Sequence, residues 1–130
     1  MREVKILVVD DEERFLTSMA KLLAKKGCAV TTAASGREAL EKLAQQEVDV
    51  IILDVKMPGM DGLATFRETK KRFPLVEVIM LTGHGTVDTA LEAIKLGAFD
   101  YLLKPCGLDE LLEKTREAAD RKWVLEQKKH

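Results

Sequence analysis

The sequence predicts an α/β fold, a doubly wound sheet of five parallel strands with helices on both faces. The first observation behind this is a set of five short runs rich in apolar and β-branched residues, each followed by an amphipathic helical pattern. The second is that four of the runs are near-continuously apolar, as expected of parallel strands covered on both faces. The third is the strict alternation of strand and helix, which calls for right-handed crossovers.

The strand runs are residues 4–9, 28–33, 48–53, 76–81 and 99–103. The second carries Thr31 and Thr32 and reads as an edge strand. In the first helix Phe15, Met19, Leu22 and Leu23 share a face, and Gly27 is the expected stop after Lys25 and Lys26. Ser35, with Glu38 three residues later, predicts a capping box at the start of the second helix. The third follows Asp61 and Gly62, with Asp61 as its cap, and ends before Pro74. The fourth is expected from Thr86 through Val87, Ala90, Leu91 and Ile94 to Gly97, and the fifth begins near Leu108. Residues 1–120 are expected to form one domain and residues 121–130 a helical extension or the start of a linker.

Composition narrows the function classes. The chain of 130 residues suits one domain, with 46% hydrophobic residues for a core and 33% charged residues for a surface. Its 21 basic residues against 22 acidic ones give a formal net charge of -1. The excess positive charge that drives non-specific nucleic-acid binding is missing, so no direct nucleic-acid contact is expected of this segment. No apolar run approaches the roughly 20 residues that span a bilayer, and the N-terminus reaches acidic residues too soon for a signal peptide. A cytoplasmic location without membrane contact is expected. Cys28 and Cys106 have no zinc or disulfide spacing and read as packing thiols.

In an open α/β sheet, ligands bind outside the carboxyl ends of the strands. The residues there are Asp10 and Asp11 after the first strand, Asp54 after the third, Thr82 after the fourth and Lys104 after the fifth. Three clustered carboxylates raise one another's pKa unless a cation compensates, and hard oxygen ligands suit Mg2+. With one such ion and Lys104, the formal charges cancel. Asp54 is then the natural nucleophile for an acyl phosphate, Lys104 and the metal neutralise the transferring group, and the Thr82 hydroxyl can answer the new phosphoryl oxygens. Asp10, Asp11 and Asp54 could each be a solvated loop acid or a cap, but their convergence with Lys104 argues against that. Tyr101 shares a strand face with Phe99 and Leu103, where plain packing competes with a switching role.

Four segments, KILVVDDEE, LDVKMPGMDG, LTGHG and DYLLKP, make nearly the whole chain resemble the CheY-like receiver domains of two-component response regulators, most closely those of nitrogen-regulation type. The resemblance implies a flavodoxin-like sheet of order 2-1-3-4-5 and a phosphoacceptor at Asp54. It further implies Mg2+ held directly by Asp11, Asp54 and the backbone carbonyl of Lys56, with Asp10 acting largely through water. Lys104 would contact the phosphoryl group, the Lys104–Pro105 bond would be cis, and Thr82 and Tyr101 would move together on activation. His84 and Lys56 would adjoin the site. The donor would be a phosphohistidine on a sensor histidine kinase, and the output a C-terminal effector domain or a downstream protein. Cys106 and Gly107 depart from the family, which usually has phenylalanine and then a polar cap there.

Rival functions fit less well. A haloacid-dehalogenase-type phosphatase would need D-x-D after the first strand, where Asp10 and Asp11 are adjacent, and neither nucleotide-binding glycine motif occurs. A receiver-like interaction module without phosphorylation would not need every acidic, hydroxyl and lysine position kept. In the tail, Leu108, Leu111, Leu112, Thr115 and Ala119 form a core-facing stripe, and Trp123, Val124 and Leu125 continue beyond it. Trp123 folding back on the domain is the plain alternative to a signalling linker that pairs with a second subunit or an effector domain.

Overall fold

The structure, a computed structural model, describes residues 2–57 and 60–128. Pro58 and Gly59 of the LDVKMPGMDG segment, and the last two residues of the tail, lie outside the described residues. The elements alternate as β1 (Lys5–Val9), α1 (Glu13–Lys25), β2 (Ala29–Ala33), α2 (Gly36–Gln45), β3 (Val50–Asp54), α3 (Gly62–Arg72), β4 (Glu77–Thr82), α4 (Val87–Lys95), β5 (Asp100–Leu103) and α5 (Leu108–Lys128). A short 3-10 turn, His84–Thr86, leads into α4. All strand pairs are parallel and the order is β2-β1-β3-β4-β5. This is the five-stranded doubly wound sheet that the sequence predicts.

The sheet divides the core in two. Leu7, Val9, Ile51, Leu53, Val78 and Met80 face α2, α3 and α4, whereas Ile6, Val8, Val50, Ile52, Ile79 and Leu81 face α1 and α5. The alternation along each strand follows from the period of two in side-chain direction, and every residue of β3 and β4 is buried. The fifth strand departs from expectation. It lies at the second edge of the sheet and is half-buried, so its apolar sequence does not mark a strand covered on both sides.

Local signals act as expected at several boundaries. Ser35 Oγ accepts from the Glu38 N–H at 3.1 Å, and Glu38 Oε1 accepts from the Ala34 N–H, one residue before the N-cap. Asp61 caps α3 by accepting from the Ala64 N–H at 2.8 Å. Gly27 ends α1 with φ +89, a conformation that side chains disfavour. The helix faces are rotated from the simple apolar count. Leu16, Met19 and Leu23 centre the buried face of α1 while Leu22 is exposed, and in α4 Ala90 and Ala93 are buried while Leu91 is exposed. Small alanines let α4 approach the sheet closely, which leaves the longer leucine on the outer shoulder.

Helix α5 runs without a break past residue 120 and is held at the opening edge of the sheet, where β3 and β4 begin. Lys122, almost fully buried, donates to Asp49 Oδ1 at 2.9 Å, and Trp123 Nε1 donates to the same oxygen at 3.1 Å. The Lys5 N–H supplies Asp49 Oδ2 at 2.9 Å. Next to it, Glu77 faces Arg121 at 3.1 Å and Lys70 at 3.8 Å. Arg2 lies over the Trp123 ring at 4.4 Å from its centroid. Trp123 is thus folded back on the domain, and Val124 remains exposed. The cysteines are free thiols, Cys28 buried and Cys106 half-buried.

Candidate functional site

The closing edge of the sheet gathers the chemistry. Strand β1 ends at Val9 and delivers Asp10, β3 ends on Asp54 itself, and β5 ends at Leu103 just before Lys104. Carboxylate oxygens of Asp10, Asp11 and Asp54 all lie within 4.8 Å of one another. Asp10 and Asp54 are buried, and Asp11 is exposed. Lys104 Nζ pairs with Asp10 Oδ2 and stands 3.7 Å from Asp54 Oδ1. It follows β5, the strand at one edge of the sheet, so the site reaches from the middle strands to that edge. The Lys104–Pro105 peptide is cis, as the resemblance implied.

Backbone geometry fixes the acids. Asp10 Oδ1 accepts from the Glu12 N–H at 2.9 Å, which locks the turn into α1. Behind Asp54 the chain is crossed at close range by Gly62, whose N–H donates to Val55 O at 3.0 Å. A Cβ at Gly62 would stand 2.4 Å from the Asp54 carbonyl oxygen, so only glycine fits this crossing. The Lys104 N–H donates to Thr82 O at 2.8 Å, which ties the ends of β4 and β5 together.

The electrostatics are unbalanced. The Asp54 carboxyl is pushed up to about 6, first by burial and then by Asp10, with Asp11 adding to the effect and Lys104 and the Lys56 N–H opposing it. Burial opposes the charge on Lys104, but its bond to Asp10 and the charges of Asp54 and Glu12 outweigh burial and lift the ammonium above its ordinary value. Three carboxylates against one ammonium leave an excess of negative charge, and every donor is a hard oxygen. That donor set fits Mg2+, which takes one or two carboxylates and keeps several waters.

The remaining expected residues divide. Thr82 is fully buried, and its hydroxyl meets Gly83 O at 3.0 Å and the Thr86 hydroxyl, so it is engaged within its own loop and not with the acids. Tyr101, half-buried on the edge strand, packs on the α2, α3 and α4 side of the core. His84 and Lys56 are exposed. Two neighbours escaped the sequence reading. Phe15 packs against the core on the expected face of the first helix, and its ring also sits under Lys104 at 4.3 Å from Nζ to the centroid. Thr86 was read only as a helix start. Neither carries a sequence signal for these contacts: one joins helix α1 to the residue after β5, and the other lies within the loop after β4.

The comparisons with known proteins agree with this geometry. The family model for the response regulator receiver domain matches residues 6–116. A receiver domain protein from Clostridium thermocellum has the same fold, with TM-score 0.90 and 43% identity, covering 94% of this chain and 98% of that one. A putative NtrX-like response regulator of Rickettsia bellii is 41% identical over 92% of this chain and 26% of its own length. The DNA-binding transcriptional regulator NtrC of Escherichia coli is 44% identical over 81% of this chain and 22% of its own length. The chain belongs to the response regulator receiver domain family, the signalling modules of two-component systems. It spans about a quarter of the length of these curated relatives. The phosphatase alternative gains no support. Among the described residues no helix is long and apolar enough to cross a membrane.

Proposed function

We propose that Asp54 accepts a phosphoryl group from a phosphohistidine of a sensor histidine kinase. The observation that carries this reading is the cluster of Asp10, Asp11 and Asp54 with Lys104 Nζ 3.7 Å from Asp54. A carboxylate oxygen of Asp54 attacks phosphorus, the new O–P bond forms as the P–N bond to the donor imidazole breaks, and the imidazole leaves with the bonding electrons. The Lys104 ammonium pairs with the phosphoryl oxygens as they leave the donor. Asp11, Asp54 and the Lys56 carbonyl would hold Mg2+ directly, and Asp10 through water. The bound ion supplies positive charge against the equatorial oxygens of the transferring group.

After transfer the Thr82 hydroxyl turns toward the phosphoryl oxygens and Tyr101 moves with it, which changes the surface around β4, α4 and β5. Water later hydrolyses the acyl phosphate slowly, so the domain is a self-catalysing signalling module and not a turnover enzyme. Relatives several times longer than this chain support an output through a C-terminal effector domain or a separate downstream protein. We place the signalling unit at residues 1–120 and a helical extension at 121–130, whose first turn is anchored on Asp49 by Lys122 and Trp123 and which offers the exposed Val124 to a second subunit, and we place the protein in the cytoplasm. Incubation with acetyl phosphate and Mg2+ should add one phosphoryl mass to the wild type and none to Asp54→Ala. Full labelling of that variant would remove Asp54 from the role.

A further inference from the structure

The loop after β4 holds a hydrogen-bonded cluster that the expected chemistry leaves unused. The Thr82 hydroxyl lies 3.0 Å from Gly83 O, the Thr86 hydroxyl lies 3.2 Å from the same carbonyl, and the two hydroxyls touch each other. Two hydroxyl protons therefore serve three contacts, and each proton is already committed inside the loop. The 3-10 turn His84–Thr86 creates this arrangement by carrying Thr86 back over Gly83, with the Thr86 N–H donating to Gly83 O at 3.1 Å. Gly83 and Gly85 have open space around them, so the loop has room to rearrange.

We propose that Thr86 is a positioning residue that holds the Thr82 hydroxyl in its resting place and so sets how readily the domain accepts the phosphorylated state. This rests on the phosphoacceptor reading above. A hydroxyl can donate its one proton to a single acceptor at full strength, so Thr82 must release Gly83 O before it donates to a phosphoryl oxygen, and turning away from the loop also parts it from the Thr86 hydroxyl. Every interaction made only in the resting state weakens binding of the phosphoryl group by its own differential worth. Removing the Thr86 hydroxyl leaves Gly83 O as the one remaining local acceptor, so the hold is loosened and not abolished. Replacing the hydroxyl by a methyl group of similar size keeps the volume of the side chain.

The test is titration of the Mg2+-loaded chain with beryllofluoride, a phosphoryl mimic, followed through the amide spectrum. Thr86→Val should bind the mimic about two- to tenfold more tightly than wild type, the range that one net hydrogen bond allows. Thr86→Ser, which keeps the hydroxyl, should match wild type within about twofold. In a Thr82→Ala background the Thr86→Val gain should vanish, because no switching hydroxyl remains to be held. Unchanged affinity in Thr86→Val, or a gain that persists without the Thr82 hydroxyl, overturns the latch while leaving the phosphoacceptor reading in place. A wild type that binds no beryllofluoride with Mg2+ present overturns that reading instead, and the latch with it.

Discussion

The two ends of the sheet hold buried acids in opposite ways. At the opening end Asp49 and Glu77 meet Lys122, Arg121 and Lys70, and Asp49 also receives the Lys5 N–H and Trp123 Nε1. At the closing end Asp10, Asp11 and Asp54 stand together, and among the described residues Lys104 pairs with Asp10 and stands 3.7 Å from Asp54. Burial raises a carboxyl pKa at either end, and the partners decide the outcome. Asp49 is pushed up by burial, yet its bonds to Lys122, Lys5 and Trp123 bring it below its ordinary value. Asp54 has no such surplus of donors and rises to about 6. Asp49 is thus a fixed part of the frame, whereas Asp54, short of donors and beside two further carboxylates, has oxygens left for a ligand.

The largest expected effect tests the satisfied end. Lys122→Met leaves Asp49 buried with only the Lys5 N–H and Trp123 Nε1, and breaking a buried pair from one side costs about 3 kcal/mol or more. Urea unfolding should show that loss, and Asp49→Asn combined with Lys122→Met should regain most of it. Loss of less than about 1 kcal/mol in Lys122→Met would mean that the opening end is ordinary surface, and the contrast would fail.

A change of similar size but opposite sign is expected at the other end. The Asp54 pKa is raised in the folded state, so its contribution to stability is full below the ordinary value of 3.8 and is lost as the pH rises through about 6. With a difference of about 2 units, ionised Asp54 destabilises the metal-free domain by roughly 3 kcal/mol near pH 7. Asp54→Asn should therefore be more stable than wild type at pH 7 without Mg2+ and lose that advantage near pH 4. Asp49 works the other way, since its lowered pKa supplies stability that is lost only when the pH falls below the usual carboxylate range. If Asp54→Asn gains nothing at pH 7, the closing end is better compensated than its geometry indicates.

The closing end was legible in the sequence because its acids follow directly after strands, where chain direction alone brings them together. The opening end was not read, although a signal was there. Asp49 stands between Val48 and Val50, and Glu77 between Val76 and Val78, so each is a lone acid inside an apolar run and needs a partner. Lys122 and Arg121, their partners on α5, are 73 and 44 residues away, and a lysine in an amphipathic helix looks like any surface lysine. Helix periodicity found Leu111, Leu112 and Thr115 but had no means of telling that Lys122 continues the same buried face. The Thr82 and Thr86 contact stayed hidden because a three-residue turn carries no periodic pattern.

The smallest effect sharpens the comparison within the opening end itself. Arg121 Nε lies 3.1 Å from Glu77 Oε2, but the arginine side chain is 54% exposed while the Glu77 side chain is 3% exposed. Glu77 differs from Asp49 in that burial outweighs Lys70 and Arg121 and leaves its pKa above the ordinary value. A solvated guanidinium gives little, so Arg121→Met should cost no more than about 1 kcal/mol at pH 7, well below Lys122→Met. Loss of Arg121 removes an influence that lowers the Glu77 pKa, and that pKa should rise further. A raised folded pKa means stability that is present at acid pH and lost as the pH increases, so the cost should shrink toward zero near pH 4, where Glu77 is protonated in both proteins. Chemical denaturation of both chains at the two pH values measures this directly. A cost that stays constant with pH would assign Arg121 a packing role against the Phe99 ring, 5.9 Å from its guanidinium carbon, in place of the pairing with Glu77.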